Sequence, residues 1–199
     1  RRQYVVDGTL LPCWSWAGHP EMYSGKHKTT GKNVQVASTL DGPAASGPTG
    51  PLALATVEHE RVLPAVKHVG EVAKTYFLRQ AVGDGFDDAA FVDRRGRLSE
   101  GSIWNLAFWD GAAVVWPVAE MLGGTTMGVA HRQLDRLGVP QRFQEITLAD
   151  LTALAGAVVM NSWTPGVAVH RIDSVPVPEA PTFVALLHRA YQAEPLTAP

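Results

Sequence analysis

The sequence predicts a mixed α/β fold of the α+β class. From residue 52 onward, short apolar runs typical of buried strands alternate with segments whose apolar residues recur at helical spacing. Glycine and proline mark the ends of most of these segments. Apolar residues make up 46% of the 199 residues, so the chain can bury the core of an ordinary domain.

The first half of this region predicts one helix and four strands. The spacing predicts a helix from residue 69 to residue 81, ended by "VGDG". Its predicted inward stripe consists of Val69, Val72, Ala73, Tyr76, Phe77 and Gln80. A strand, "DDAAFVD", is followed by a Gly-containing turn, "DRRGR", and by a strand–turn–strand unit, "LSEGSIWNLAFWDG". The run "AAVVWPV" predicts a further strand that ends at Pro117.

The second half predicts two more helices around another strand. In "GGTTMGVAHRQLDRLGVP" the predicted apolar stripe of a helix consists of Met127, Ala130, Leu134 and Leu137, and Gly138 with Pro140 stops the helix. Thr147 followed by Asp150 three residues later resembles a capping box. The run "GAVVMNSW" predicts a buried strand, and "VPEAPTFVALLHRAYQAE" predicts a closing helix.

The N-terminal part differs in character from the rest. Residues 1–41 are polar and basic in the middle, with two short strand-like runs, "QYVVD" and "NVQVAS". The next ten residues, "GPAASGPTGP", contain six Gly or Pro, a density that predicts a linker. We therefore expect three parts: a fragment at 1–41, a linker at 42–51 and a domain at 52–199.

Charge and cysteine content exclude several classes of function. The net charge of −2 argues against nucleic-acid binding. Cys13 is the only cysteine, which excludes an internal disulfide and a cysteine-based zinc cluster. We find no secretory signal pattern and no apolar run long enough to span a bilayer. The sequence therefore predicts a soluble cytoplasmic protein without a membrane partner.

Three local features have both a catalytic and an ordinary structural interpretation: the Gly-Gly-Thr-Thr run, Lys67 and Glu100. Gly123-Gly124-Thr125-Thr126 at a helix start could seat a phosphate, or it could be a plain strand-to-helix turn. Lys67 lies in an apolar stretch that could lower the pKa of its amine, or it could be a surface lysine. Lys74, inside the helix, is expected to be solvated.

Glu100 is a carboxylate among apolar neighbours, and an ionised carboxylate needs a partner when buried. One interpretation is an ordinary structural role, either capping a turn or forming a salt bridge to Arg94, Arg95 or Arg97, in which Ser102 and Asn105 would be simple turn residues.

Taken together, these motifs resemble the class IV pyridoxal-phosphate aminotransferases, which include branched-chain and D-amino-acid aminotransferases and aminodeoxychorismate lyase. The resemblance covers residues 51–199 and is most specific in "GFDDAAFVDRRGRLSEGSIWNLAFWDG". It implies the large-domain fold of that family and pyridoxal 5′-phosphate as the cofactor. It also implies an amino acid, keto acid or amino-chorismate type substrate and a homodimer.

The resemblance also implies roles for individual residues. Lys67 matches the lysine that forms a Schiff base with the cofactor and moves the substrate proton. Glu100 matches the acid that pairs with the cofactor's ring nitrogen. Thr125 and Thr126 match the phosphate-binding pair, and Ser162 in "NSWT" is our choice for a further phosphate contact.

Three departures from the family pattern predict reduced or absent activity. Val72 stands where many members have tyrosine, and Met127 stands where the family has arginine. Full members have an N-terminal domain of about a hundred residues, a typical small-domain size, of which only residues 51–65 could remain here. The alternative is therefore an inactive protein with the aminotransferase fold.

Residues 4–42 resemble a different family, the IS5-like DDE transposases, through "DGT" and "YSGKHKTTGKNVQV". By that resemblance Asp7 matches the first of three metal-binding carboxylates. We find no match for the other two, and two-metal chemistry needs converging carboxylates. Lys26, His27 and Lys28 are expected to form a solvated basic loop. The sequence thus predicts a transposase fragment fused to an aminotransferase domain, with no metal site, and makes a DNA-related function the least favoured alternative.

Overall fold

The computed structural model describes residues 4–12, 23–24, 29–39, 50–68 and 70–195, with side chains described from residue 50 onward. Residues 1–45 and 46–199 form two compact units. Most of the predicted linker (42–51) and the basic residues Lys26, His27 and Lys28 lie outside the described residues.

The N-terminal unit contains a three-stranded antiparallel sheet. Its strands are β1 (Tyr4–Pro12), β2 (Tyr23–Ser24) and β3 (Thr29–Thr39), and β3 lies between the other two. Asp7 pairs with Val36 in this sheet. The described residues of both predicted strand-like runs therefore fall in strands, which extend well beyond the runs; Gln3, the first residue of "QYVVD", lies outside the described residues.

The second unit is built on one mixed sheet with helices against it. Its strands are β4 (Leu52–Glu58), β5 (Asp88–Val92), β6 (Leu98–Gly101), β7 (Asn105–Trp109), β8 (Val114–Pro117), β9 (Gln141–Gln144), β10 (Gly156–Asn161), β11 (Thr164–Ile172) and β12 (Val175–Pro176). The helices are α1 (Val72–Gly83), α2 (Thr125–Arg136) and α3 (Pro181–Gln192), with a 3-10 helix at Leu148–Ala153. The fold is mixed α/β, as the sequence predicts.

Six of the strands close into a barrel. The pairing runs β10–β11–β4–β5–β6–β7, and β7 pairs back with β10. The parallel pairs, β11–β4 and β4–β5, lie side by side in this ring. Strands β8 and β9 extend the sheet beyond the barrel, and β12 pairs with β11.

The barrel interior is the largest apolar core. Each barrel strand contributes residues at alternate positions, as a strand with one inward face requires. These residues include Leu52, Leu54, Ala90, Leu98, Leu106, Phe108, Ala157, Val159, Val167 and Val169. Ile146 and Leu151 join the same core from the loop and 3-10 helix that follow β9. The 3-10 helix begins with the predicted capping box between Thr147 and Asp150.

The helices pack on the outer face. Helices α2 and α3 cover Ala107, Val158 and Met160, and α1 covers Ala89 and Phe91. Three members of the predicted α2 stripe, Met127, Ala130 and Leu134, are buried. The fourth, Leu137, lies just after the last helical turn and is 52% exposed, so the prediction is wrong for that residue.

The predicted stripe of α1 is largely wrong. The helix begins at Val72 rather than residue 69 and buries Lys74 and Ala81. Val72 and Tyr76, expected to face the core, are 81% and 65% exposed. The physical reason lies in the charged cluster around Glu100.

Candidate active site

Glu100 is held rigidly at the end of β6 by its neighbours. The Ser99 hydroxyl donates to the carbonyl of Phe91 at 3.1 Å. A Cβ at Gly101 would lie 3.1 Å from the Ala89 carbonyl oxygen, so glycine permits the close approach of β6 to β5. The buried Asp88 carboxylate accepts the indole N–H of Trp104 at 2.8 Å. The "DDA…SEGS" motif therefore fixes the backbone that presents Glu100.

The Glu100 carboxylate is buried and faces two cations. Lys74 Nζ lies 2.8 Å from Glu100 Oε1, and Arg61 Nη1 lies 3.7 Å from the same atom. Glu71 Oε2 lies 3.6 Å from both cations. Two positive and two negative charges thus form one cluster in which every member is at least half-buried. Because each buried charge has a counter-charge nearby, their attraction offsets the cost of removing them from water.

Two expectations are corrected here. Lys74, expected to be solvated, is buried because it reaches Glu100. The three arginines considered as structural partners of Glu100 bind elsewhere: Arg94 to Glu60, Arg95 to Glu145, and Arg97 to Asp93 and Glu145. Glu100 therefore has cation partners 26 and 39 residues away in the chain, which no local pattern indicates.

His59 and His68 border the cluster. Burial, together with the positive charge of Lys74, lowers the pKa of His59, whose ring lies against Phe77 and Phe91. His68 Nε2 lies 3.0 Å from Glu71 Oε1 and 2.8 Å from the Val62 carbonyl, while Nδ1 accepts the Gly70 N–H. His68 thereby ties the segment between β4 and α1 to the first turn of the helix.

Asn105 connects Glu100 to the start of α2. It lies directly opposite Glu100 in the β6–β7 pair, so the two side chains share a face of the sheet. Asn105 Nδ2 donates to the Leu122 carbonyl at 2.7 Å, and Oδ1 accepts the Gly124 N–H at 3.1 Å. A Cβ on Gly124 would lie 2.2 Å from Asn105 Oδ1, so only glycine fits. Asn105 is a positioning residue, not the simple turn residue considered above.

The start of α2 offers backbone donors for an anion. The first intrahelical bond runs from the Gly128 N–H to the Gly124 carbonyl, so the N–H groups of Thr125, Thr126 and Met127 precede the helical ladder. The Thr125 side chain is exposed, whereas Thr126 is buried. The Thr126 hydroxyl hydrogen-bonds Tyr191 of α3, whose pKa is raised by burial. Thr126 therefore anchors the helix start as well as contributing its N–H.

Ser162 lies in the turn between β10 and β11. Met160 pairs with Asn105, so this turn adjoins the end of the sheet that carries Asn105 and Gly124. Ser162 is exposed, and the neighbouring Asn161 side chain accepts the Trp163 N–H at 2.9 Å. Thr164, the first residue of β11, is buried. The register thus places Ser162 at the same end of the sheet as Asn105.

Lys67 lies in the irregular segment between β4 and α1, and its side chain is exposed. Leu63 in this segment has φ of 54°, a strained value for a branched side chain. A nearby cavity of about 400 Å³ is lined by Glu58, His59, Glu60, Arg61, Val62 and Arg94. The amine that contacts Glu100 in this structure belongs to Lys74 rather than Lys67.

Two buried polar atoms at the site lack a partner. Among the described residues, these side-chain atoms are Arg61 Nε and Ser102 Oγ. The carboxylate atoms Glu100 Oε1 and Glu71 Oε2 are contacted by cations instead, Glu100 Oε1 by Lys74 Nζ at 2.8 Å. Because buried polar atoms normally have partners, the two unpartnered atoms fit a site that takes a ligand.

Comparison with known proteins identifies the family. The family model described as amino-transferase class IV matches residues 14–172. The chain therefore belongs to the class IV aminotransferase family. The match begins within the segment that the sequence assigned to a transposase fragment. A search of curated proteins gave no significant match.

Solved structures share the fold at low identity. A putative 4-amino-4-deoxychorismate lyase from Legionella pneumophila has a TM-score of 0.69 at 18% identity, covering 86% of this chain and 65% of that one. The branched-chain amino acid aminotransferase from Escherichia coli has a TM-score of 0.68 at 17% identity, covering 82% and 56%. A hypothetical aminotransferase from Mycobacterium tuberculosis, in its PLP-bound form, has a TM-score of 0.63 at 23% identity, covering 72% and 55%. This chain thus spans about two thirds or less of these relatives.

Two further observations concern the described residues only. They include no group of three or more His, Cys, Asp or Glu side chains arranged to hold a metal ion. None of their helices is long and apolar enough to cross a membrane.

Proposed function

We propose that this chain binds pyridoxal 5′-phosphate and acts as an aminotransferase or lyase on an amino acid or amino-chorismate type substrate. The observation that carries the proposal is the bridge made by Asn105. On one side it faces a buried acid, Glu100, and on the other it holds the N-terminus of α2. An elongated ligand with a basic ring nitrogen at one end and a phosphate at the other fits that pair of groups.

In this proposal Glu100 would hold a proton at the ring nitrogen, because an adjacent carboxylate favours the charged form of a base. When bound, the cofactor supplies an electron-withdrawing ring that stabilises the charge left when a bond to the substrate's α-carbon breaks. The N–H groups of Thr125 and Thr126 would bind the phosphate at the positive end of the α2 dipole. Ser162 would add a hydroxyl from the β10–β11 turn.

Lys67 would provide the amine that joins the cofactor and moves the substrate proton. The support is its position in the family motif, 33 residues before Glu100. Because Lys67 is exposed here, this role requires the segment between β4 and α1 to bring its amine toward the ring. A homodimer and a cytoplasmic location remain predictions from the sequence.

The proposal is tested by adding pyridoxal phosphate to the purified full chain and recording the absorbance spectrum. We expect a saturable spectral change, and after borohydride reduction a covalent adduct that peptide mapping places on Lys67. Lys67→Met should abolish the adduct. The exposed Arg79 offers a control, since Arg79→Met removes a positive charge without touching the site. Absence of saturable binding by the wild-type chain would contradict the proposal.

A second candidate is a protein that binds the cofactor without turnover. The observation that favours it is the Lys74–Glu100 contact, which already gives the acid a cation partner. A chain that shows saturable binding but exchanges no amino group with any amino acid donor would support this second candidate.

For residues 1–41 we propose an origin as an IS5-like transposase fragment, on the motifs that contain Asp7 and the "YSGKH" run. In the proposal this segment has no nuclease function, because that chemistry needs three metal-binding carboxylates and the segment matches only the first. Metal-dependent DNA cleavage that disappears in Asp7→Ala would contradict this.

A further inference from the structure

Lys74 is a buried charged residue that the proposed chemistry does not use. Its side chain is 8% exposed, and its Nζ lies 2.8 Å from Glu100 Oε1. The same amine lies 3.6 Å from Glu71 Oε2 and 5.7 Å from the centre of the Phe91 ring. Lysine is rarely buried this far, so a specific reason is required.

Lys74 cannot be the amine that joins the cofactor while Glu100 holds the ring nitrogen. In pyridoxal phosphate the aldehyde carbon and the ring nitrogen lie at opposite ends of the ring. An amine bonded at one end and an acid at the other are therefore separated by the full length of the ring. A distance of 2.8 Å is direct contact, which leaves no room for a ring between Lys74 and Glu100. The ammonium lies where the ring nitrogen would have to lie.

We propose that Lys74 is a positioning residue that occupies the ring-nitrogen side of Glu100 in the free protein and competes with pyridoxal phosphate for that carboxylate. This inference rests on the proposed function. Binding of the ring then requires the Lys74 amine to leave Glu100. Apparent affinity falls by the fraction of molecules in which the carboxylate is available.

The surrounding charges allow this exchange. When Lys74 moves away, Arg61 remains 3.7 Å from Glu100, so the acid keeps a counter-charge. Glu71 Oε2 lies 3.6 Å from the Lys74 amine and provides an alternative partner. The flexible four-carbon stem of lysine lets the amine shift between two carboxylates without movement of α1.

The first test is a binding titration with wild-type chain, Lys74→Met and Lys74→Gln. Two ligands are used: pyridoxal phosphate, and 4-deoxypyridoxine 5′-phosphate, which has the ring nitrogen and phosphate but no aldehyde. We expect both variants to bind both ligands about tenfold more tightly than wild type, as if about a tenth of the wild-type molecules have a free carboxylate. Arg79→Met on the same helix is the matched charge control and should bind like wild type.

The second test uses only the wild-type chain, so folding of a variant does not enter. Acetylation of Lys74 by acetic anhydride is followed by mass spectrometry with and without saturating 4-deoxypyridoxine 5′-phosphate. We expect the acetylation rate of Lys74 to rise at least about threefold when the ligand displaces its amine, as population shift requires.

The outcomes separate the two proposals. Tighter binding by both Lys74 variants and faster acetylation support the competition. Equal or weaker binding by the variants, or unchanged acetylation with ligand bound, overturns it and leaves the proposed function standing. If neither wild type nor the variants bind either ligand, the proposed function fails and the competition with it.

Discussion

Helices α1 and α2 each have 12 residues and each packs on the outer face of the barrel, but of the two only α1 buries a charged side chain. Helix α2 buries an apolar stripe that includes Met127 and Leu134. Helix α1 buries Lys74 and leaves Val72 and Tyr76 exposed. Similar elements on the same surface are therefore oriented by different forces.

The difference shows what sets the orientation of α1. Turning Val72 inward would bury more apolar area, but it would move Lys74 away from Glu100 and leave that acid with Arg61 at a longer distance. Loss of the 2.8 Å contact from a buried carboxylate costs more than one exposed valine. The candidate site thus determines how α1 lies on the barrel, whereas α2 lies as its apolar pattern requires.

The largest expected effect comes from removing the acid that orients α1. Glu100→Ala should lower the free energy of unfolding by about 3–5 kcal/mol, because it leaves the two buried cations, Lys74 and Arg61, to share the single carboxylate of Glu71. Urea denaturation of the full chain measures this. Glu120→Ala, at an exposed carboxylate, is the matched control and should change the free energy little. A loss below about 1 kcal/mol for Glu100→Ala would mean that the cluster does not orient α1.

The next effect tests the apolar stripe of α2. Leu134→Ala should cost about 2–5 kcal/mol, since the side chain is fully buried among α2, α3 and the sheet. Leu137, at the end of the same helix, is 52% exposed, and Leu137→Ala should cost much less. The ratio of the two losses in urea denaturation is the measurement. Equal losses would show that α2 is not oriented by its apolar face.

A surface ion pair of α2 should contribute less to the free energy of unfolding than the buried charge cluster of α1. Glu194 lies 2.5 Å from Arg132, and hydrogen bonds from Arg132 and Gln133 lower its pKa below the usual 4.5. A depressed carboxylate pKa stabilises the fold above pH 4.5 and loses that contribution as the pH falls through the folded-state value.

Glu194→Gln should therefore cost about 0.2–1 kcal/mol above pH 4.5, as expected for a surface ion pair, and less at lower pH. Thermal unfolding as a function of pH measures the difference between variant and wild type. A difference that grows as the pH falls has the wrong sign and would contradict the account.

The smallest effect is expected on the exposed side of α1. Val72→Ala should change the free energy of unfolding by no more than about 0.5 kcal/mol, because the side chain is 81% exposed. The same urea experiment measures it. A loss of several kcal/mol would mean that Val72 faces a core and that the comparison between the two helices is wrong.

The sequence predicts the parts of the molecule that local patterns determine. Helix α2, the closing helix and the Thr147–Asp150 capping box are confirmed, since each depends on residues a few positions apart. The importance of Glu100 is visible because a charge interrupts an apolar run. Its partners are not visible, since Arg61 and Lys74 reach it only through the folded barrel.

The start of α2 shows the same limit. The Gly-Gly-Thr-Thr run predicts a helix start with free N–H groups. The need for glycine at position 124 is visible only in the structure. Asn105, which lies 19 residues earlier in the chain, contacts Gly124 across the fold. The sequence therefore predicts the two ends of the candidate site but not the side chain that joins them.

A crystal structure of the full chain grown with pyridoxal phosphate tests the central claim most directly. The account predicts the ring nitrogen against the Glu100 carboxylate, the phosphate on the N–H groups of Thr125 and Thr126, and the Lys74 amine withdrawn from Glu100. A ligand bound elsewhere, with Lys74 still in contact with Glu100, would contradict it.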